Sequence, residues 1–207
     1  MLTEVEGRVL GCLLEKERTT PDQYPLTLNA LVSACNQSTA REPVMRVEPD
    51  DVERALDSLK QQRMVRFVHP SHGRSVTRFR QVIDELQQWS AAQSAAVALL
   101  LLRGAQTSAE LRARAERLHD YASIEEVETV LAELAIGEQP VVRRLERQPG
   151  RKEARWQQLL ADEAEPAALH SPERGALASA GRHALEARVD ELEARVARLE
   201  AALAELL

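Results

Sequence analysis

Aromatic residues are scarce: the 207-residue chain has two Trp, two Tyr and two Phe, 3% of the total, against 44% hydrophobic residues overall. Large rings normally dominate core packing, so the cores here must be built from Leu, Val and Ala, the residues that fill helix interfaces. An α-rich class follows. Glycine is also sparse, at eight residues, and no Gly-rich loop that could cradle a phosphate group occurs. The two cysteines, Cys12 and Cys35, both fall on apolar faces of predicted helices, where packing is expected rather than redox or metal chemistry. Among the five histidines, His69 and His72 flank Pro70 and Ser71 at a turn with no third ligand in register, so neither a metal nor a cofactor is expected. No Ser-His-Asp or Cys-His arrangement can be placed, and the carboxylates lie at helix starts or on solvated faces, which argues against an enzyme. The longest apolar run, Ala95 to Leu102, is far short of the roughly 20 residues that span a bilayer. After Met1, Leu2, Thr3 and Glu4 there is no basic region leading into an apolar stretch, so a cytoplasmic protein without a membrane partner is expected.

What is present is a pattern that runs twice. Thr3 and Glu6 make a capping box, and Val5, Val9, Cys12 and Leu13 then recur at helical spacing to about Glu17. Thr27 caps a second helix with Leu28, Leu31, Val32 and Cys35 on one face, after a corner set by Pro21, Tyr24 and Pro25. Pro49 opens a third, striped by Val52, Ala55, Leu56 and Leu59 and ending near Arg63. Val65–His69 and Val76–Gln81 then read as a hairpin around Pro70, Ser71, His72 and Gly73. The second copy repeats this order: an apolar helix through Arg103, a break at Gly104, boxes at Thr107/Glu110 and Ser123/Glu126, and a second hairpin, Val141–Arg147 with Glu153–Gln157, around Pro149-Gly150.

The expected class is therefore α+β, mostly α: two tandem winged-helix (helix-turn-helix-like) domains at 1–82 and 83–160, a flexible linker at 161–182 rich in Ala, Pro, Ser, Gly and Glu, and a C-terminal coiled-coil helix at 183–207. At this length two modest cores are a better count than one large one. In the last segment Leu185, Val189, Leu192, Val196, Leu199, Leu203 and Leu206 alternate four-three spacing over about three heptads. With Val189, Val196 and Leu203 at a positions, a parallel dimer sets Arg188 against Glu193 and Arg195 against Glu200 of the partner strand. An antiparallel one would oppose like charges, so a parallel homodimer is expected.

Net charge is −6, but it is unevenly placed. Residues 161–207 hold 10 acidic and 5 basic side chains, whereas 1–82 hold 11 and 12. Between Lys60 and Arg80 stand six basic residues, Lys60, Arg63, Arg66, Arg74, Arg78 and Arg80, and no acidic one. The second hairpin carries Arg143, Arg144, Arg147, Arg151, Lys152 and Arg155 against Glu146 and Glu153. Each hairpin is a positive patch able to track phosphates, although a solvated wing without a ligand would read the same way. The third helices argue the opposite, since Asp50, Asp51 and Glu53 open one and Glu125, Glu126 and Glu128 the other, where base readout wants Arg, Lys, Asn, Gln or Ser. The remaining candidate is the loop from Asn36 to Arg46. There Asn36, Gln37, Thr39, Arg41 and Arg46 could reach bases or phosphates, or Asn36 could end the second helix and Ser38 or Thr39 satisfy loop backbone.

Three runs carry a family resemblance: TTPDQYPLTLNALVSACNQSTAREPVM at 19–45, LLLRGAQTSAELRARAERL at 100–118 and VVRRLERQPGRKEARWQQLL at 141–160. On these the chain resembles the YceH family of bacterial proteins, nearly without gaps over residues 3–160. The resemblance implies a pair of winged-helix domains, often with a coiled-coil end, supplies no catalytic residues, and marks Asn36, Gln37, Thr39, Arg41 and Glu42 in the same loop. The stretch from Val82 to Ser94, a short polar helix-like segment with Trp89, departs from it. Two functions stay open. One is a non-enzymatic dimeric protein that binds double-stranded DNA, a transcriptional regulator in one form, with its wings on phosphates and symmetric half-sites. The other is an adaptor whose acidic third helices dock another protein.

Overall fold

The computed structural model describes residues 1–69, 76–147 and 153–162. Residues Met1–Ala164 form one compact unit, α+β and mostly helical. At its centre lies α1 (Glu4–Thr19), opened by the expected capping box: Glu6 Oε2 accepts from the Thr3 N–H at 2.7 Å while Thr3 Oγ1 accepts from the Glu6 N–H at 3.3 Å. Every residue from Glu6 to Glu15 is buried, so this helix is covered on all sides rather than along one stripe.

In the first copy α2 (Leu28–Cys35) starts at the Thr27 cap, and α3 (Pro49–Gln61) has Pro49 in its first turn and buries Val52, Ala55, Leu56 and Leu59. Arg63, at φ +61°, turns the chain out of α3 into β2 (Val65–Val68), which pairs antiparallel with β3 (Arg78–Gln81). A third strand, β1 (Leu26–Thr27), lies on the other side of β3, giving the order β1-β3-β2. β1 adds to the expected two-stranded hairpin, since two residues are too short to show alternation in the sequence.

The segment after β3 holds a single short helix, α4 (Ile83–Gln87), closed by Gln88 in the left-handed region at φ +56°. The second copy follows as α5 (Ala91–Arg103), α6 (Ser108–Ala115), α7 (Ile124–Leu134) and the hairpin β4 (Val142–Arg144) with β5 (Trp156–Gln158). Ser90 and Gln93 box α5, and Thr107 with Glu110 box α6 as expected. The third box is incomplete: Ser123 Oγ accepts from the Glu126 N–H, but the Glu126 carboxylate accepts from the Ala122 N–H instead of returning to Ser123.

Duplication extends to strand register. Val65 opposes Gln81, Arg66 opposes Arg80 and Phe67 opposes Phe79; in the second copy Val142 opposes Gln158, Arg143 opposes Gln157 and Arg144 opposes Trp156. Phe79 also pairs with Leu26, and Trp156 makes the matching bridge to Gln106, each just ahead of a Thr cap. Gln81 and Gln158 are both buried, and each side-chain carbonyl accepts from the backbone N–H three residues on. They fix the chain's exit from each hairpin.

The two copies share one continuous apolar core. In α5 every residue from Ser94 to Leu102 is buried, and the helix packs on α1, where Gly11 admits Leu101 and Leu102 while Gly7 admits Ala161 beyond β5. A Cβ at Gly7 would lie 2.6 Å from that of Ala161, and one at Gly11 3.0 Å from that of Leu101. The end of the second hairpin is tied to the chain start, with the Leu2 N–H donating to Leu160 O and the Asp162 N–H to Leu2 O, both at 2.8 Å. No helix among the described residues is long and apolar enough to cross a membrane. The heptad positions Leu185, Val189, Leu192, Val196, Leu199, Leu203 and Leu206 lie outside the described residues, as does the expected linker beyond Asp162.

Candidate nucleic-acid interface

Alternation sends Val65, Phe67, Phe79 and Gln81 toward the core and leaves Arg66, Val68, Arg78 and Arg80 on the outward face of the three-stranded sheet. Arg66 and Arg80 stand directly opposite each other, an arrangement that costs stability unless a counter-charge is near. Glu85 on α4 supplies one, forming an ion pair with Arg80. Arg78 Nη1 donates to Pro25 O at 2.8 Å, and Lys60 Nζ sits 4.2 Å above the Phe67 ring. Arg46, Arg63 and Arg66 are exposed and make no ion pair among the described residues. Arg74, Arg151 and Lys152 lie outside those residues, as does His72; His69 Nδ1 is 3.4 Å from Thr77 Oγ1.

On the second hairpin Arg143 is exposed and its Nε donates to Gln157 Oε1 at 2.8 Å, while the Arg144 guanidinium lies 5.8 Å from the Trp156 ring centre. Both anchors are uncharged. Arg155 is 3.9 Å from Glu110.

The helix starts keep their acidity. Asp51 is held by Arg54 at 2.5 Å, but Asp50 and Glu53 remain exposed. In α7 there is no basic residue, Glu128 accepts from the Ser108 hydroxyl, and the Glu125 carboxyl is held below its usual range by its own backbone N–H and the Ser123 hydroxyl. A phosphate backbone would be repelled from both helices.

In the loop from Asn36 to Arg46, Asn36 follows the second of the two expected readings and ends α2. Arg41 is buried, and all five of its guanidinium hydrogens are used: Nε on Ala34 O, Nη1 on Ala40 O and Glu15 Oε1, Nη2 on Gln37 Oε1 and, at 2.6 Å, on Glu15 Oε2. All of its donors are thus spent inside the fold. Burial alone would raise the Glu15 carboxyl, but the hydrogen bonds and charge of Arg41, with Lys16 beside it, hold it below its ordinary value. Asn36 ends α2 and is spent on Val47, donating from Nδ2 to its carbonyl at 2.9 Å and accepting from its N–H at 2.8 Å. Gln37 is likewise turned inward onto Arg41 and Lys16. Ser38, Thr39, Glu42 and Arg46 are the exposed ones among the loop residues singled out from the sequence. The loop is a structural clamp: Arg8 Nη2 holds Pro43 O at 2.6 Å, and the Glu42 N–H donates to Leu102 O at 2.8 Å, tying it to α5.

Sequence reasoning missed Arg8, Glu15 and Glu85. A signal existed for the first two: Arg8, Cys12 and Glu15 fall at i, i+4 and i+7, so two charges share a face with a buried cysteine. Cys12 and Cys35 are both fully enclosed, and Tyr24 of the corner accepts from the Gln81 N–H at 2.7 Å through its hydroxyl. Among the described residues no group of three or more His, Cys, Asp or Glu is placed to hold a metal ion.

These features define a duplicated, mostly α chain with a shared core, two arginine-bearing hairpins and an internally satisfied polar loop. The chain belongs to the family described as "Protein of unknown function, DUF480", whose profile matches residues 2–151. It is 52% identical over 163 residues to the UPF0502 protein GSU0233 of Geobacter sulfurreducens, covering 79% of this chain and 74% of that one. It is 44% identical over 199 residues to the UPF0502 protein YceH of Salmonella paratyphi B, covering 92% of each, so the expected YceH kinship is correct. A UPF0502 protein of Chromobacterium violaceum is 46% identical over 192 residues, 92% of this chain and 87% of that one. None of these names states an enzymatic activity.

Proposed function

We propose that the chain is a non-enzymatic protein that binds double-stranded DNA, built from two winged-helix units whose hairpins are wings laid on the phosphate backbone. The observation that carries this reading is the outward sheet face, where Arg66 and Arg80 oppose each other with Arg78 beside them and where the second hairpin repeats an exposed arginine at Arg143. Two like charges set directly across a ladder work against the fold and suit an anionic ligand. Duplex is the better substrate than single strand. Phe79, Tyr121 and Trp156 are buried and Phe67, Tyr24 and Trp89 pack against the core, so none of the Phe, Tyr or Trp rings is offered for base stacking. The acidic starts of α3 and α7 keep those helices out of the groove, which leaves backbone contact dominant over base readout. The heptad seam from Leu185 to Leu206 pairs two copies in parallel, in the cytoplasm.

Fluorescence anisotropy against a random duplex across a salt series tests this. Several phosphate contacts require log K to fall with log salt at about −0.9 per contact, and absence of binding at low salt refutes the reading. A second reading rests on α7, which has no basic residue and exposes Ile124 beside Glu125, with Ile136 exposed just beyond its end: a face for another protein. Substituting Arg66 and Arg80 weakens DNA binding and leaves such a partner untouched.

A further inference from the structure

The two hairpins match in register but place their charges differently, with Arg144 where the first copy has Phe67 and a neutral residue where it has Arg80. In the second copy the position equivalent to Arg80 is Gln157, and the exposed Arg143 leans on that neutral amide. In the first copy Arg80 is engaged by a carboxylate, Glu85, from outside the hairpin. We propose that Glu85 is a built-in substitute for a DNA phosphate, a counter-charge that occupies the Arg66–Arg80 site in the free protein and sets its affinity for duplex. This rests on the DNA-binding reading above.

Three observations carry it. Glu85 is held in place rather than passing by: buried Gln81 accepts from the Asp84 N–H and donates to Glu17, and Asp84 Oδ1 accepts from the Glu85 N–H at 2.7 Å. The pair is open to solvent, with side-chain exposures of 31% for Arg80 and 51% for Glu85, so an incoming phosphate oxygen can displace the carboxylate without unpacking the core. Arg66, directly across the ladder, is exposed and makes no ion pair among the described residues, leaving the site short of one anion even with Glu85 present. An exposed pair of this kind adds little to stability, so its removal is expected to be read in binding and not in folding.

The test uses full-length protein, a random duplex and anisotropy across a salt series, with wild type, Glu85→Gln, Arg80→Gln, the double variant and Glu138→Gln, an exposed carboxylate without an ion pair among the described residues. Glu85→Gln is expected to steepen the salt slope by about 0.9 and to tighten binding about eightfold at ~0.1 M salt, the effect of one added phosphate contact. Arg80→Gln weakens binding and abolishes the gain in the double variant, and Glu138→Gln has a much smaller effect. Binding by wild type that Glu85→Gln leaves unchanged, or raises no more than Glu138→Gln does, overturns the inference while the DNA reading stands. No binding by either wild type or Glu85→Gln overturns both.

Discussion

Replacing Arg41 by Ala removes the strongest partner of a buried carboxylate, Glu15. Arg41 donates five hydrogen bonds and its side chain has no exposed surface, while Glu15 is 12% exposed. Breaking one side of such a pair leaves Glu15 with Lys16 as its remaining cation, at 3.3 Å, and takes the Arg41 donors from the Ala34 and Ala40 carbonyls, a loss of about 3–5 kcal/mol. For a unit of this size each kcal/mol moves Tm by about 2–4 °C, so the drop is roughly 6–20 °C. Arg41→Lys restores only part of it, because an ammonium has three donors and no planar fork. The loss also depends on pH. In the fold Glu15 is held below its ordinary value of 4.5, so the unfolded chain takes up that proton first; the pair's contribution is complete above that value and disappears as the pH falls through the lower folded value. Urea unfolding of wild type and variant at neutral pH, and again in acid, reads both effects. A difference below about 1 kcal/mol at neutral pH would refute the clamp, as would a difference that fails to shrink in acid.

Gly7→Ala is expected to destabilise by about 1–3 kcal/mol in the same assay although Ala is the better helix former, because its Cβ would meet that of Ala161 at 2.6 Å. Gly104→Ala loses about 1 kcal/mol for a different reason: nothing lies within 4 Å, but φ is +67°. Trp156→Ala, which empties a buried ring and removes the cation–π partner of Arg144, is expected to lower stability by about 3–5 kcal/mol. Chain ended after Asp162 is expected to sediment as a monomer and full-length protein as a dimer; equal masses sink the proposed role of the heptad seam.

Helical stripes and caps were legible because they repeat: Thr3/Glu6, Thr27 and Thr107/Glu110 sit ahead of the helices they were expected to open. The hairpins were legible from β-branched and aromatic residues around turn formers, though β1 was too short to register. What sequence distance hides is pairing. Arg41 is 26 residues from Glu15, and nothing local distinguishes it from the exposed Arg46 five positions on. The sequence therefore leaves both readings of the polar loop open, whereas the structure turns Asn36, Gln37 and Arg41 inward. Arg66 and Arg80 read correctly as hairpin arginines, but only strand register sets them face to face, and only the short helix after β3 brings Glu85 to them.

The most direct test of the account is an anisotropy titration of full-length wild type and an Arg66→Glu/Arg143→Glu variant against one random duplex at low and physiological salt. Wild type is expected to bind at low salt and to weaken as salt rises, the variant to lose binding at least tenfold, and both to unfold at similar urea concentrations. Equal binding by the two proteins, or none by wild type at low salt, would contradict it.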